Sequence, residues 1–284
     1  VVLIICIKKK AMIAYQGIGD LMMSEKYREL SNTEIWCNHV TEIITGHQWY
    51  TIPKPRGMPI LERVGKSLTV SMEHPIITAK TRQLNHSFMF GEASWILSGQ
   101  NDLGTIQKHM KKIGNYSDNG RMLSGAYGPP VVRQLEYVKR SLQNDMYSRQ
   151  AVLTIWQERP EPSKDIPCTV SMQFLIRDNQ IHCVTNMRSS DAYIGLPYDI
   201  FVFSCISAKV RDMLDIEGLS LGKLTITAGS SHVYKENFED AVILLPQTRQ
   251  NDNNDKAPFN FNITAKHGIV AELERVLGEL ANGK

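Results

Sequence analysis

The chain has 284 residues, of which 42% are hydrophobic and 21% charged, and this composition excludes a disordered or fibrous protein. Its formal net charge of +3 suits a small anionic ligand as well as nucleic acid and does not discriminate between them. The five cysteines are widely spaced without a CxxC pair, which argues against a disulfide framework and a structural zinc site. With no apolar run long enough for a membrane span and no signal-peptide order at its start, the sequence predicts a cytoplasmic protein.

Hydrophobic periodicity predicts alternating helices and strands along the first half of the chain. Helical spacing runs from 22 to 46 and ends at a glycine, and the Pro- and Gly-rich stretch 51–65 predicts an exposed loop. The alternating KSLTVSM (66–72) predicts a strand, the apolar stretch 82–99 a helix, and the turn formers of 114–130 a loop.

The second half of the chain continues in the same way. The predicted elements are a helix at 134–145, a strand at 150–157, a β-hairpin turning at 177–180, a long apolar helix at 196–214, a strand at 223–234 and a C-terminal helix. Strands interleaved with long apolar helices, without a linker between them, predict one α/β (α+β) domain over residues 1–284.

Cys168 is the first candidate for chemistry, because it directly follows Pro167 at the start of the predicted hairpin. A lone cysteine is usually core packing, so a buried hairpin with an incidental thiol is one reading. The alternative is a nucleophile, since Arg188 on the second strand can face the thiol, and a cation favours the reactive thiolate. Both readings stay open on these residues alone.

Other polar residues stand where either chemistry or packing would explain them. Glu92 interrupts an apolar helix and is either on a solvated face or a general acid/base. Arg56, Arg149 and the hairpin arginine adjoin turns and are either scattered surface cations or ligands of one phosphate. His232 and Tyr234, in SSHVY, either line the core or bind a sugar hydroxyl.

Taken in order, these residues and their motifs resemble thymidylate synthase and its relatives, the pyrimidine nucleotide hydroxymethylases. The similar stretches are FGEASWILSGQNDL, GAYG, DMYSRQ, PCTVSMQF, RSSDAYIGLPYDI and SSHVY, within about residues 50–240. The resemblance implies a mixed β-sheet with flanking helices that dimerises sheet against sheet. It also implies transfer of a one-carbon unit from the co-substrate 5,10-methylenetetrahydrofolate to carbon 5 of a pyrimidine nucleotide.

The resemblance also implies roles for individual residues. Cys168 would be the nucleophile that adds to ring carbon 6, Glu92 the acid/base that organises water, and Tyr127 a group that assists proton removal. Nucleotide-binding roles are implied for Arg56, Arg149 (toward the partner subunit), Gln173, Arg188, Ser189, Ser190, Asp199, His232 and Tyr234. Folate-binding roles are implied for Asp191 and Trp95. No metal is expected, because no His, Cys and carboxylate cluster has ligand spacing.

Departures from the synthase pattern bear on the substrate and the product. Asp199 stands where the synthases have Asn, and a carboxyl suits the amino group of cytosine whereas an amide suits uracil. Thr169 follows the nucleophile where the synthases have His, which is similar to the deoxycytidylate hydroxymethylases of T-even-like phages. Lys112 and Asn115 stand at the positions of two shielding tryptophans, so water would reach the exocyclic methylene.

The sequence is therefore interpreted as a homodimeric enzyme that converts a cytidine monophosphate, expected to be dCMP, to its 5-hydroxymethyl derivative. Such a product fits a virus that modifies its own DNA. The alternatives are a 5-methylcytidylate synthase, which would yield dihydrofolate, and a CMP hydroxymethylase. A further alternative, from a different class, is a catalytically silent homologue that binds nucleotide or RNA. For the enzyme, neither a membrane nor a nucleic acid partner is expected.

Overall fold

A computed structural model of the chain describes residues 30–45, 50–52, 57–79, 81–158, 162–244 and 268–282. From Asn32 onward these residues belong to one compact unit, built on a six-stranded mixed β-sheet. The strands are β1 (Tyr50–Ile52), β2 (Ile60–Ser71), β3 (Val152–Thr154), β4 (Thr169–Arg177), β5 (Gln180–Asp191) and β6 (Ser220–Tyr234). Their order across the sheet is β1-β2-β6-β5-β4-β3; β5 and β6 run parallel, and the other neighbouring pairs are antiparallel.

Helices cover one face of this sheet. They are α1 (Asn32–Thr45), α2 (His86–Leu97), α3 (Leu103–Ile106), α4 (Gly128–Asn144), α5 (Leu196–Leu214), α6 (Phe238–Val242) and α7 (Ile269–Ala281), with short 3₁₀ helices at Lys111–Tyr116 and Lys235–Asn237. Helix α5 packs directly on β5 and β6, and α2 and α7 pack on α5. Because α5 lies between two layers, it is apolar almost all round and nearly all of it is buried.

The hairpin and the long apolar helix predicted from the sequence are confirmed. Strands β4 and β5 are joined by Asp178 and Asn179, whose φ angles of 50° and 57° form a tight left-handed turn that short polar residues tolerate. Helix α5 has the predicted bounds of 196–214. The mixed sheet with flanking helices agrees with the fold that the resemblance implied.

The loop predicted over 51–65 is wrong in its second part, because β2 begins at Ile60. Gly65 lies inside this strand with a φ of 67°, and β2 resumes its pairing with β6 on either side of it. A glycine that reads as a turn former is here a local irregularity in a continuous strand. The helix predicted for 22–46 is described only from Asn32 to Thr45.

The second face of the sheet carries polar side chains, several of them exposed. On β2 and β6, Ser67 pairs with Thr227 and Thr69 with Thr225 through hydroxyl hydrogen bonds of 2.9 and 3.0 Å. Val64, on the same stretch of β2, is 67% exposed. Hence no described helix covers this part of the sheet, and the functional side chains come from the strand ends and the loops beside α2 and α5.

Candidate active site

Cys168 and Arg188 contact each other at the open end of the hairpin. The Nη2 of Arg188 lies 3.7 Å from the Sγ of Cys168 and donates a second hydrogen bond, of 2.9 Å, to the carbonyl of Ile166. The Nε of the same side chain donates to the carbonyl of Pro167 at 2.9 Å. The guanidinium therefore clamps the segment that carries the thiol and places a positive charge beside the sulfur.

The hairpin register explains this contact. Thr169 pairs with Met187, and the backbone N–H of Arg188 donates to the carbonyl of Cys168 at 2.8 Å. The register is regular from the tight turn to Ser171, which pairs with Asn186. A one-residue shift between Thr169 and Ser171 then brings the cysteine before β4 opposite the arginine near the end of β5. The predicted juxtaposition of thiol and guanidinium is present, whereas the phosphate-binding role of Arg188 stays a prediction.

Tyr127 lies against the same segment, just before α4. Its hydroxyl oxygen accepts hydrogen bonds from the Oγ1 and the backbone N–H of Thr169, at 3.0 and 3.3 Å. Burial, followed by the negative charges of Asp199 and Cys168, raises the pKa of Tyr127 well above its ordinary value of 10.0. The phenol is therefore neutral, and because its oxygen only accepts from Thr169, its own proton is available to a bound ligand.

Two carboxyl groups from neighbouring helices belong to this pocket. Glu92 lies in the middle of α2, and Asp199 in the first turn of α5. Burial raises the pKa of Asp199 well above 3.8, and the charges of Glu92 and Asp191 raise it further. Burial alone raises the pKa of Glu92 from 4.5 to about 7. Neither carboxyl accepts a hydrogen bond from any residue that the structure describes, so a bound ligand or water can supply a partner.

The pKa of Glu92 makes stability depend on pH. The folded protein keeps this proton up to about pH 7 and the unfolded chain only up to 4.5, so ionisation of Glu92 destabilises the fold as the pH rises through that window. When the pH is raised from about 5 to about 8, the free energy of unfolding of the parent protein should decrease. This decrease should be larger, by of order 2 kcal/mol, than the decrease in a Glu92→Gln variant, which has no carboxyl to ionise. Urea unfolding at both pH values measures this difference. The exposed Glu217→Gln is the control and should follow the parent; parallel curves for Glu92→Gln and the parent would contradict the assignment.

Asp191, His232 and Tyr234 gather where β5 and β6 end side by side. Asp191 pairs in register with His232, whose ring packs edge-on against Tyr234 with centroids 5.1 Å apart. The Oδ1 of Asp191 accepts hydrogen bonds from the backbone N–H of Tyr193 and of Ile194, at 3.0 and 2.9 Å. Burial raises the pKa of Asp191, while these hydrogen bonds and His232 oppose that shift. The Oδ2 of Asp191 accepts no hydrogen bond from the described residues.

The segment before Cys168 is held by contacts with the loop predicted over 114–130. Asp118 accepts hydrogen bonds from the Ser163 hydroxyl and the Lys164 backbone N–H, which lower the pKa of its carboxyl. The carboxylate of Asp165 accepts from the backbone N–H of Gly125 at 2.7 Å. These contacts join residues far apart in sequence, so only the three-dimensional structure reveals them.

A glycine in this loop allows the two segments to approach closely. A Cβ at Gly125 would lie 2.6 Å from the carbonyl oxygen of Asp165 and 2.9 Å from the nitrogen of Pro167, both backbone atoms. Gly125→Ala should therefore displace the segment that carries Cys168, lowering the free energy of unfolding by about 1–3 kcal/mol and reducing turnover. Urea unfolding and a turnover assay check both effects.

Gly278→Ala is the matched control for that change. Gly278 lies within α7, and a Cβ there would meet nothing within 4 Å. Alanine at that helical position should stabilise the protein by up to about 1 kcal/mol. A Gly125→Ala variant as stable and as active as the parent would show that the close approach does not position the cysteine.

Other predicted site residues lie elsewhere. Gln173 is five residues along β4 from Cys168, roughly 16 Å away at strand spacing, and its amide donates to the carbonyl of Arg149. Arg149 is exposed, and its backbone lies beside the middle of β4. Trp95 is 5% exposed and donates its indole N–H to the carbonyl of Asp102. The nucleotide and folate roles of these residues stay predictions.

The serines after Arg188 differ in their surroundings, and one predicted residue is not described. Ser189 is half-buried and pairs in register with Ser230, whereas Ser190 is buried with a hydroxyl that has no hydrogen-bond partner. Arg56 lies outside the described residues. The roles of these three residues in binding a nucleotide are untested.

A cavity of about 640 Å³ opens beside Arg188. Its lining combines aromatic and polar side chains, which are Asn115, Tyr116, Trp156, Ser163, Lys164, Ile166 and Arg188. Asn115 therefore lies at this opening, which agrees with a position from which water could reach the reacting group. Lys112 is exposed on the 3₁₀ helix and is not part of the lining. Trp156, which the sequence analysis did not select, lies between this cavity and the protein interior.

Within the described part of the chain, no cluster of three or more His, Cys, Asp or Glu side chains is arranged to hold a metal ion. None of the helices in the described ranges has the length and apolarity that crossing a membrane needs. The described site thus consists of a thiol, a guanidinium, a phenol and three carboxyl groups.

A protein-family model described as thymidylate synthase matches residues 34–267 of the chain. The chain belongs to the thymidylate synthase family. Among curated relatives, the thymidylate synthase of Buchnera aphidicola subsp. Baizongia pistaciae (strain Bp) is 26% identical over 179 residues, covering 59% of this chain and 66% of the relative. That of Vesicomyosocius okutanii subsp. Calyptogena okutanii (strain HA) is 23% identical over 191 residues, covering 63% of this chain and 70% of the relative. The matches thus span about two thirds of the length of these family members.

Proposed function

We propose that this member of the thymidylate synthase family is a deoxycytidylate 5-hydroxymethylase. The balanced reaction is dCMP plus 5,10-methylenetetrahydrofolate plus water, giving 5-hydroxymethyl-dCMP and tetrahydrofolate. The observation that carries the proposal is Asp199, a half-buried carboxyl with a raised pKa and no hydrogen bond from the described residues. A group of this kind favours a ligand whose polar edge completes it.

The cytosine ring offers such an edge. Its 4-amino group donates a hydrogen bond and its N3 accepts one, so a protonated carboxyl at Asp199 can accept the first and donate the second. When a nucleophile adds to carbon 6, negative charge spreads onto N3, and transfer of the Asp199 proton to N3 neutralises it. Uracil already carries a proton on N3, so the charge of its adduct would stay on the 4-oxygen beside the carboxyl. Asp199 therefore favours cytosine over uracil.

Cys168 is proposed as that nucleophile. Its Sγ forms a bond to ring carbon 6, the electrons of the 5,6 double bond make carbon 5 nucleophilic, and carbon 5 takes the one-carbon unit. Arg188, 3.7 Å from the sulfur, favours the thiolate that this addition requires. Loss of the carbon-5 proton would then expel tetrahydrofolate and leave an exocyclic methylene. Water would add to this methylene as the thiolate is eliminated, which restores the 5,6 double bond and frees the enzyme.

Tyr127 and Glu92 are proposed to move the protons. The Tyr127 hydroxyl, held by Thr169 close to Cys168, lies where it can relay the proton that leaves carbon 5. Glu92, with a pKa of about 7, changes its protonation near neutral pH and suits exchange of protons with ordered water. Together with Asp199, which serves N3, they would account for the proton transfers of the reaction.

The co-substrate methylenetetrahydrofolate would supply the one-carbon unit. Asp191 fits such a group, because its Oδ2 is an acceptor without a partner among the described residues and a reduced pterin ring carries N–H donors. The polar lining beside Arg188, with Asn115 and Lys164, supports hydration in place of reduction, since it would admit water to the pocket. Trp95, buried against Asp102, would support this site from within α2.

A homodimer is part of the proposal. Arg149 is exposed, and its carbonyl accepts a hydrogen bond from Gln173, five residues along β4 from Cys168, so its side chain is proposed to serve the phosphate of the partner subunit. The uncovered face of β2 and β6 supplies a surface on which a second copy can pack. Its hydroxyl pairs would make that interface more polar than a protein core.

Two alternatives use the same pocket. A 5-methylcytidylate synthase would keep the role of Asp199 but produce dihydrofolate, and a CMP hydroxymethylase would differ only at the sugar. His232 and Tyr234 would address a hydroxyl common to both sugars, so they favour neither. A silent nucleotide-binding homologue would not need the contact between Cys168 and Arg188.

The deciding experiment incubates the protein with dCMP and methylenetetrahydrofolate and reads the nucleotide product by mass spectrometry. We expect 5-hydroxymethyl-dCMP, and no product from dUMP under the same conditions. A methyl product would preserve the base assignment and overturn hydration. Inertness toward dCMP, CMP and dUMP would overturn the enzymatic function.

A further inference from the structure

Trp156 covers the flat face of the arginine that contacts Cys168. The guanidinium carbon of Arg188 lies 5.8 Å from the centroid of the indole, within the range of a cation–π contact. The tryptophan is itself fixed, because its backbone N–H and that of Ile155 both donate to the carbonyl of Val170, at 3.2 and 3.0 Å. The indole thus extends from β3 toward Arg188 on a rigid support.

The hydrogen bonds of Arg188 leave that face to Trp156. One edge of the guanidinium, Nε and Nη2, is used by the carbonyls of Pro167 and Ile166 and by the sulfur of Cys168. Bonds of this kind lie in the guanidinium plane and do not restrain its tilt about that edge. A ring stacked on the plane restrains the tilt and excludes water from the cation, which strengthens its attraction for the thiolate.

Trp156 also separates two cavities. It lines the cavity of about 640 Å³ that contains Arg188, and a second cavity of about 450 Å³ whose wall includes Pro129, Pro130 and Pro167. A smaller side chain at this position would connect the two cavities and admit water to the covered face of Arg188. The space on both sides makes the indole the barrier between them.

We infer that Trp156 is a positioning residue, which holds the Arg188 guanidinium against Cys168 and shields it from water. The inference rests on the proposed function, because it assumes a reactive thiolate at Cys168. It adds a residue for which the proposed function gives no contact with nucleotide or folate. A stacked cation contributes a factor of about 2 to 5 at a partly exposed site and more when water is excluded.

The test measures alkylation of Cys168 by iodoacetamide from about pH 5 to about pH 10, read by the mass of the peptide that contains it. Trp156→Leu removes the ring, and Trp156→Phe retains a smaller aromatic face. Tyr147→Leu is the matched control, because Tyr147 lies 5.9 Å beneath the guanidinium of Arg177 at the other end of β4. Each Trp156 variant is also made in an Arg188→Gln background.

We expect Trp156→Leu to slow alkylation near neutral pH by about 3- to 10-fold and to move the pH profile upward. Trp156→Phe should retain most of the parent alkylation rate, and Tyr147→Leu should react at the parent rate. In the Arg188→Gln background, neither Trp156 variant should lower the rate further. If Trp156→Leu does not fold, Trp156→Phe carries the test with a loss of about 2-fold that disappears in the Arg188→Gln background.

An unchanged profile in Trp156→Leu, or an equal loss with and without Arg188, would overturn the inference. The assay needs neither nucleotide nor folate. If the proposed function is wrong, no product will form from dCMP, but Trp156→Leu will still slow alkylation of Cys168. If the inference is wrong, dCMP will be converted, but Trp156→Leu will not slow alkylation.

Discussion

A Cys168→Ala variant should lose turnover of dCMP by at least about 10⁴-fold while it still binds the nucleotide. The thiolate supplies the covalent bond that makes carbon 5 reactive, and no other described side chain near Arg188 is a nucleophile of comparable strength. The phosphate, sugar and base contacts proposed for the nucleotide do not involve the sulfur, so affinity should change by only a few-fold. Steady-state product formation and calorimetric titration with dCMP measure the two quantities.

Cys37→Ala is the control for that experiment. Cys37 is buried in α1, and burial together with the charge of Glu34 raises the pKa of its thiol to about 12, so this thiol is inert at neutral pH. The variant should turn over dCMP at the parent rate. Retained turnover in Cys168→Ala would sink the nucleophile assignment, and loss in both variants would point to a general effect on folding.

Some functional residues could be predicted from the sequence, because their residue type does not fit the pattern of the residues around them. Glu92 interrupts an apolar helix, and Cys168 and Arg188 flank a hairpin whose turn follows from short-range rules, although the one-residue shift that aligns them does not. For these residues the structure supplies distances that the pattern had implied. Asp199 was identified by its departure from a family motif, and its burial beside Glu92 agrees with that significance.

Residues that act through long-range contacts could not be predicted in this way. Trp156 reads as one more aromatic in a strand, and Asp118 as one more turn former, because their partners lie on other segments. Gln173 was assigned by sequence likeness, yet strand geometry carries it to the middle of β4, where its amide donates to the carbonyl of Arg149. Gly65 was interpreted as part of a loop because its left-handed conformation, here inside β2, is usually found in turns.

The arrangement of charges explains how one pocket can serve both the base and the co-substrate. The charges of Glu92 and Asp191 add to burial in raising the pKa of Asp199, so the site holds fewer negative charges than it has carboxyl groups. Gly195 lies between two of them: a Cβ there would be 3.9 Å from the Oδ2 of Asp199 and 3.7 Å from the Cβ of Asp191. A donor bound at Asp191 would therefore alter how readily Asp199 releases its proton.

Asp199→Asn should shift the ratio of kcat/KM for dCMP over dUMP toward dUMP by about 10- to 100-fold. The amide has no proton to transfer to N3 of cytosine, so kcat with dCMP should fall more than KM rises, whereas its N–H can donate to the 4-oxygen of a uracil adduct. Initial rates with both nucleotides give the ratio. Asp215→Asn is the control, because Asp215 ends α5 in a left-handed conformation (φ 51°) that Asn adopts readily, and it should leave the ratio unchanged. An unaltered ratio in Asp199→Asn would show that the base is selected by other groups and would remove the main support for cytosine as the substrate.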